Sequence, residues 1–341
     1  MKKIGNQTYE LEMNVSLVKG VSLVGRKEGE GPLSDYFDFI EKDDKMGEKT
    51  FEKGERKMFF KTISECIKKS GLKKDEIDLY VGGDLMNQLV SSNYTASELE
   101  IPFLGLYNAC ATMAESYIIG STFLETGGLK NVICATGSHF STAERQYRYP
   151  LEFGNQRQSY AQWTVTGVGA TVLSTETKSN VHAKRFTIGK VTDYGICDIA
   201  NMGAAMAPAA METLTAFFED TKTTEKDYDL IATGDLGKLG SDIFKDLMLK
   251  KGFDMESNYI DCGHMIYSID QGTIQGGSGA GCSASVFNSY ILQKLETGEF
   301  KKVLLISTGA LMSTTTNQQG DTIPCIAHLV EMEGKKWLLR F

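Results

Sequence analysis

The sequence predicts an α/β protein built from two diverged copies of one unit, and three observations carry the prediction. Residues 78–85 read DLYVGGDL and residues 229–236 read DLIATGDL, both fitting D-L-x-x-x-G-D-L. Residues 125–130 (ETGGLK) and 296–301 (ETGEFK) share E-T-G-x-x-K. Each of these is followed by an apolar run ending in Thr-Gly, VICATG in the first copy and VLLISTG in the second. The blocks come in the same order in both halves, which chance similarity explains poorly. The halves are placed at 1–180 and 181–341.

The elements between these blocks agree. In the first copy, 15–24 reads as a strand and 55–70 as an amphipathic helix stopped by Gly71. A strand over 77–81 is punctuated by Gly82 and Gly83. A buried strand over 101–106, a helix over 111–126, a strand over 132–135 and a β segment over 163–174 complete the unit. The second copy repeats this, with strands over 186–191, 230–232, 259–266, 303–307 and 323–331. Its helices are 204–218, 241–250 and 279–295. Short apolar runs alternating with helices imply a mostly parallel sheet covered on both faces. The Ala- and Gly-rich stretches near 110 and 280 suit helices packed between two such layers, because small side chains let backbones approach closely.

The chain has 341 residues, 41% hydrophobic and 23% charged, with a net charge of −8. It lacks the basic excess of a nucleic-acid binder and the overall charge that anionic lipid attracts. No apolar run of about 18 residues indicates a membrane span, and the basic start turns polar too soon for a signal peptide. The seven cysteines show no CxxC pair, so neither a zinc site nor a disulfide framework is indicated, and reduced cytosolic thiols are expected. No metal site and no cofactor are expected. The charged stretch 26–54 reads as an exposed insertion, a solvated face or a partner surface.

Function-bearing strings lie at three places. The string IPFLGLYNACA at 101–111 resembles the nucleophile strand-to-helix turn of thiolases and ketoacyl synthases, with Cys110 in the nucleophile position. GGSGAGCSAS at 276–285 resembles the Gly-rich start of the equivalent second-half helix, and VTGVGATVLS at 165–174 the hairpin near the end of half one. The resemblance covers nearly the whole chain and implies a thiolase-like five-layer αβαβα sandwich of two pseudo-duplicated halves. GKVTDYG, NMGAAMAPAA and AQWTVTGVGA are similar to a sporulation branch of that superfamily. This implies a non-catalytic component of a spore membrane complex that takes up dipicolinic acid, free or as its calcium chelate. Its partners would be other stage V sporulation membrane proteins. Its place would be the cytoplasm or the periphery of the forespore or spore inner membrane. A homodimer formed along 101–107 is implied as well.

A Cys at a helix start suits a nucleophile, and equally an anion pocket or a buried packing residue. Acyl transfer needs a base as well. Thiolases place a Gly-His-Pro before the second Gly-rich turn, where this chain has Gly272-Thr273-Ile274, so Thr273 takes the His position. The stretch 305–309, LISTG, lacks the second cysteine of the family. His264 is the candidate to replace the missing base, against a plain structural histidine. The resemblance therefore leaves three functions open: dipicolinate carrier, condensing enzyme using Cys110, or scaffold with a degenerate pocket. Cys282 is read as a relic of the repeat. The pocket expected between the halves is floored by Cys110, Thr273 and Ser278. His264, His139 and the polar segment 139–163 stand at its rim. Gln162 and Trp163 would lie against the ligand ring, and Arg145 or Arg148 would address its second carboxylate. The alternative for that segment is a solvated surface loop.

Overall fold

The structure, a computed structural model, describes residues 1–147 and 157–334. The first copy opens with β1 (Thr8–Val24) and α1 (Phe51–Ser70). The Thr50 side chain caps the start of α1 and Gly71 ends it at φ +80°, as the sequence anticipates. Its buried face carries Met58, Phe59, Thr62, Ile63, Cys66 and Ile67, the spacing of one helical stripe. Then follow β2 (Leu79–Gly83), α2 (Val90–Leu99), β3 (Phe103–Gly105), α3 (Thr112–Glu125) and β4 (Asn131–Ser138). Helix α4 (Phe140–Tyr147) and β5 (Gly167–Ser174) complete the copy.

The second copy runs β6 (Val181–Thr187), α5 (Met202–Thr221), β7 (Leu230–Thr233), α6 (Gly237–Lys250) and β8 (Tyr259–Asp261). Helix α7 (Ala280–Val286) passes through a π-helical turn, Phe287–Ile291, into Leu292–Thr297. Strands β9 (Lys302–Ala310) and β10 (Cys325–Gly334) close the fold.

Among the described residues the strands form a 12-stranded sheet whose main path is β8-β7-β9-β10-β6-β1-β5-β4-β2-β3. Read outward from the central β1–β6 pair, the two arms have the same order. The inner helices separate the arms. Helix α3 packs on β4 and β2 on one side and on β9 and β10 on the other, with α7 beside it. Helix α1 covers the outer face of the first arm and α5 that of the second. The result is the five-layer sandwich, with one apolar core among the inner helices and one under each outer layer. Glycines permit the tightest contact: a Cβ on Gly281 would stand 2.2 Å from the Gly167 carbonyl, and one on Gly169 2.2 Å from that of Ala284.

Several expectations need correcting. The sheet is mixed rather than mostly parallel, because β5 and β10 return antiparallel to β4 and β9. The strand expected over 101–106 is the short edge strand β3, half exposed because it has a neighbour on one side only. The strand expected over 259–266 stops at Asp261, whose carboxylate accepts from His264 N and turns the chain into the helical turn Cys262–Met265. The charged insertion is anchored: Leu33 and Phe37 join the inner core, and Glu28 is buried. Helices α2 and α4 were not foreseen, since neither carries a long apolar stripe.

Candidate functional site

Strand β3 leads into a turn in which Ala109 takes φ +50° and Cys110 is buried in the helical turn Ala109–Ala111 that feeds α3. Facing it is the Gly-rich turn of the second copy, where Gly276 and Gly279 hold φ +101° and +106°. A side chain at Gly279 would strike Ser138 Oγ at 2.7 Å, so this turn requires glycine. Gly277–Ser278 pairs in parallel with Trp163–Thr164, which ties the second-copy turn to the first copy. Between the two turns lies a cavity of about 580 Å³ whose wall includes Cys110, Ser278, Gly279, Tyr107, Tyr147 and Met202. The Tyr107 and Tyr147 hydroxyls are 2.9 Å apart, and Tyr147 donates to the Leu85 carbonyl. No charged side chain lines the cavity among the described residues.

The group facing the thiol from behind the wall is Asp235, two residues past the end of β7. Its carboxylate is hydrogen-bonded by the Cys110 thiol. Oδ2 also accepts from Gly279 N at 2.9 Å and Oδ1 from Thr308 Oγ1 at 2.8 Å. Burial pushes this carboxyl up to about 6, against those three donors, which favour the ionised form. Asp261, also buried and also near 6, accepts from Leu236 N, Gly237 N and Thr233 Oγ1 and so fixes the start of α6.

His328 holds the nucleophile turn from β10. Its Nδ1 accepts from Gly189 N at 3.2 Å, so the ring proton sits on Nε2, 3.1 Å from the Asn108 amide. A hydrogen bond there requires the amide oxygen on that side. Burial lowers this imidazole to about 4, so it is neutral at physiological pH.

Of the residues expected at the site, Cys110 and Ser278 line the cavity. Thr273 is buried but does not line it, and His264 is exposed on its helical turn. Gln162 is buried behind the wall, its Nε2 donating to the carbonyls of Asp235 and Gly277. The Trp163 ring stacks on Phe140 at 4.0 Å, and Lys27 and Arg157 sit over it at 4.5 and 4.6 Å. Arg145 pairs with Glu52 at 3.0 Å. His139 is buried, donates from Nε2 to the Asp44 carbonyl and accepts from Ser141 N at Nδ1. Its imidazole is lowered by burial. Arg148 lies outside the described residues. The aromatic and cationic residues thus exist as foreseen, but those described serve one another. Tyr147, from the segment expected at the rim, does line the cavity; the residues missed are Tyr107, Met202 and the hydroxyl run Ser313, Thr314, Thr315 and Thr316 on its wall, and Asp235 behind it. A signal for Asp235 was present: it is the second Asp of D-L-x-x-x-G-D-L, the counterpart of Asp84.

Fold and site together define a thiolase-like protein. Solved structures agree on the fold. Xanthomonas campestris OleA, as a His-to-Asn variant, matches with TM-score 0.59 at 14% identity over 95% of this chain and 100% of its own. AbyA1, a tetronic acid condensing enzyme, matches with TM-score 0.56 at 14% identity over 94% and 100%. The sequence profile for stage V sporulation protein AD matches residues 5–333. Stage V sporulation protein AD of Bacillus subtilis (strain 168) is 43% identical over 333 residues, 98% of each chain. The chain belongs to the stage V sporulation protein AD family, a sporulation protein family with a thiolase-like fold. Among the described residues no helix is long and apolar enough to cross a membrane.

Proposed function

We propose that the protein is a non-catalytic dipicolinic acid carrier in the spore membrane complex that takes up dipicolinate, acting beside other stage V sporulation membrane proteins. The observation that carries this reading is the cavity at Cys110, which keeps the nucleophile turn but sets the buried carboxyl group of Asp235 against the thiol. Acyl transfer needs a base able to take the thiol proton and donors for an oxyanion. The position resembling the catalytic His is Thr273, whose hydroxyl is no base at neutral pH, and His264 is exposed. About 580 Å³ is ample for a flat ring with two carboxylates. Its walls supply aromatic rings from Tyr107 and Tyr147 and neutral donors such as Ser278 and Gln146.

Calorimetry with dipicolinate, alone and with calcium, tests the reading, with pyridine-2-carboxylate as the one-carboxylate control. Binding is expected for dipicolinate and weaker for the control. One charge-assisted hydrogen bond lost should lower affinity by about tenfold to a hundredfold, or about 1.5–3 kcal/mol. Cys110→Ala should weaken binding modestly and Cys110→Trp should abolish it by filling the cavity. No heat and no thermal shift at millimolar ligand would leave the scaffold reading. A stable acyl adduct on Cys110 by intact mass after incubation with acyl-CoA, absent from Cys110→Ala, would make the protein a condensing enzyme instead.

A further inference from the structure

We infer that Asp235 is a positioning residue that couples anion binding in this cavity to the uptake of one proton, an inference that rests on the carboxylate-site reading above. The geometry carries it. Asp235 reaches the cavity wall through two separate contacts, the Cys110 thiol and the Gly279 N–H. Both groups line the cavity, and no Lys, Arg or His lines it among the described residues. An anion entering there finds no opposite charge on the described wall and a carboxylate one hydrogen bond behind it. Two negative charges at such short range in a poorly hydrated site repel strongly, and protonating one of them removes the repulsion.

The surroundings of Asp235 leave it the proton's natural holder. Among the described residues the titratable groups facing it are Cys110 from the nucleophile turn, Asp261 and Cys262 from the end of β8, Cys282 from α7 and Cys325 from β10. None of these is a base that stays cationic at neutral pH. Burial pushes the Cys262 and Cys282 thiols well up and Cys325 up to about 12, so they stay neutral. Asp261 titrates in the same range, but its carboxylate is engaged by Thr233, Leu236, Gly237 and His264. The free Asp235 carboxyl titrates near 6, so it is largely ionised at neutral pH and a bound anion restores its proton. In binding, a hydronium ion or buffer acid gives its proton to an Asp235 oxygen, one O–H bond forming as the donor's bond to hydrogen breaks; no other covalent bond changes.

The test is the dissociation constant of dipicolinate for the full-length protein between about pH 5.5 and about pH 8, where dipicolinate itself remains a dianion. Proton uptake is read by calorimetry in two buffers of different ionisation enthalpy. Affinity should be level below about pH 6 and fall by up to about tenfold per pH unit above it, with uptake approaching one proton. Asp235→Asn should flatten the profile and bind more tightly than wild type at about pH 8. Should that variant not fold, Thr308→Val serves: it removes a donor that favours ionised Asp235, so the break should move to higher pH. Tight binding with a flat wild-type profile, or a slope that survives Asp235→Asn, overturns the inference and leaves the carrier reading standing. No binding at any pH, in any variant, overturns the carboxylate-site reading and this one together.

Discussion

Ile274 carries a β-branched side chain at φ +61°, in the left-handed region, and is 46% exposed. For an L-residue that conformation costs about 1–2 kcal/mol, and little packing offsets it at this loop position. Asn tolerates the region better, because its short side chain bonds to nearby backbone. Ile274→Asn should therefore raise stability by about 0.5–1 kcal/mol, read as a higher urea midpoint at unchanged slope. A lower midpoint would mean that the isoleucine makes contacts worth more than the strain. Ala109 differs. It shares the positive φ but lies between Asn108, held by His328, and Cys110, held by Asp235. There the neighbours determine the backbone, and the strained turn is what aims the thiol at the cavity.

The insertion over 26–54 shows how much an element's charge pattern conceals. Glu28, in the short helical turn Arg26–Gly29, is buried and accepts from Thr166 N at 3.0 Å and from the Tyr267 hydroxyl. Its other oxygen has no partner among the described residues. Burial raises this carboxyl from 4.5 to about 7. The folded state thus holds the proton more tightly than the unfolded chain. That contribution to stability is complete below about pH 4.5, declines as pH rises and is gone above about pH 7. Glu28→Gln should match wild type near pH 5 and exceed it near pH 8 by up to about 3 kcal/mol, measured by urea unfolding at both values. An equal gap at both would mean that Glu28 does not titrate between them. Sequence patterning exposed the helices with long apolar stripes and the strands buried on both faces, because periodicity reports burial. It did not expose α2 and α4, whose buried positions are mostly Ser, Thr and Ala. It put Cys110 and Ser278 together, and both line one cavity, because Gly-rich turns announce backbone geometry. It assigned Arg145 and Trp163 to the ligand because composition cannot say which cation already has a partner. Asp235 went unread although the repeat spelled it out, since an acid in a repeated block looks like turn chemistry until its thiol neighbour is seen.

At the scale of the molecule, β3 ends the sheet with one side unpaired among the described residues; Leu104 on it and Tyr107 just beyond it are 39% and 51% exposed. An open strand edge with apolar side chains invites pairing with another chain. A twofold dimer through β3 is the expected assembly, which light scattering at about micromolar concentration should show as twice the chain mass. Leu104→Lys should shift it towards monomer, and wild type running as monomer throughout would dismiss the dimer. Because Tyr107 also walls the cavity, that contact would set the cavity mouth beside the partner's.

The pairing at the centre of the sheet has a consequence of its own. β1 and β6 hold the same place in the two arms and run antiparallel to each other. Antiparallel contact between equivalent strands is what a local twofold axis generates. The peptide link between the copies then fastens a seam that two separate chains should be able to close without it. The protein has the plan of a homodimer fused into one chain. A gene fragment encoding one half should yield a product that pairs with its twin across β1, and one that stays single would leave residues 8–16 of the longest strand of the fold open to water along that edge.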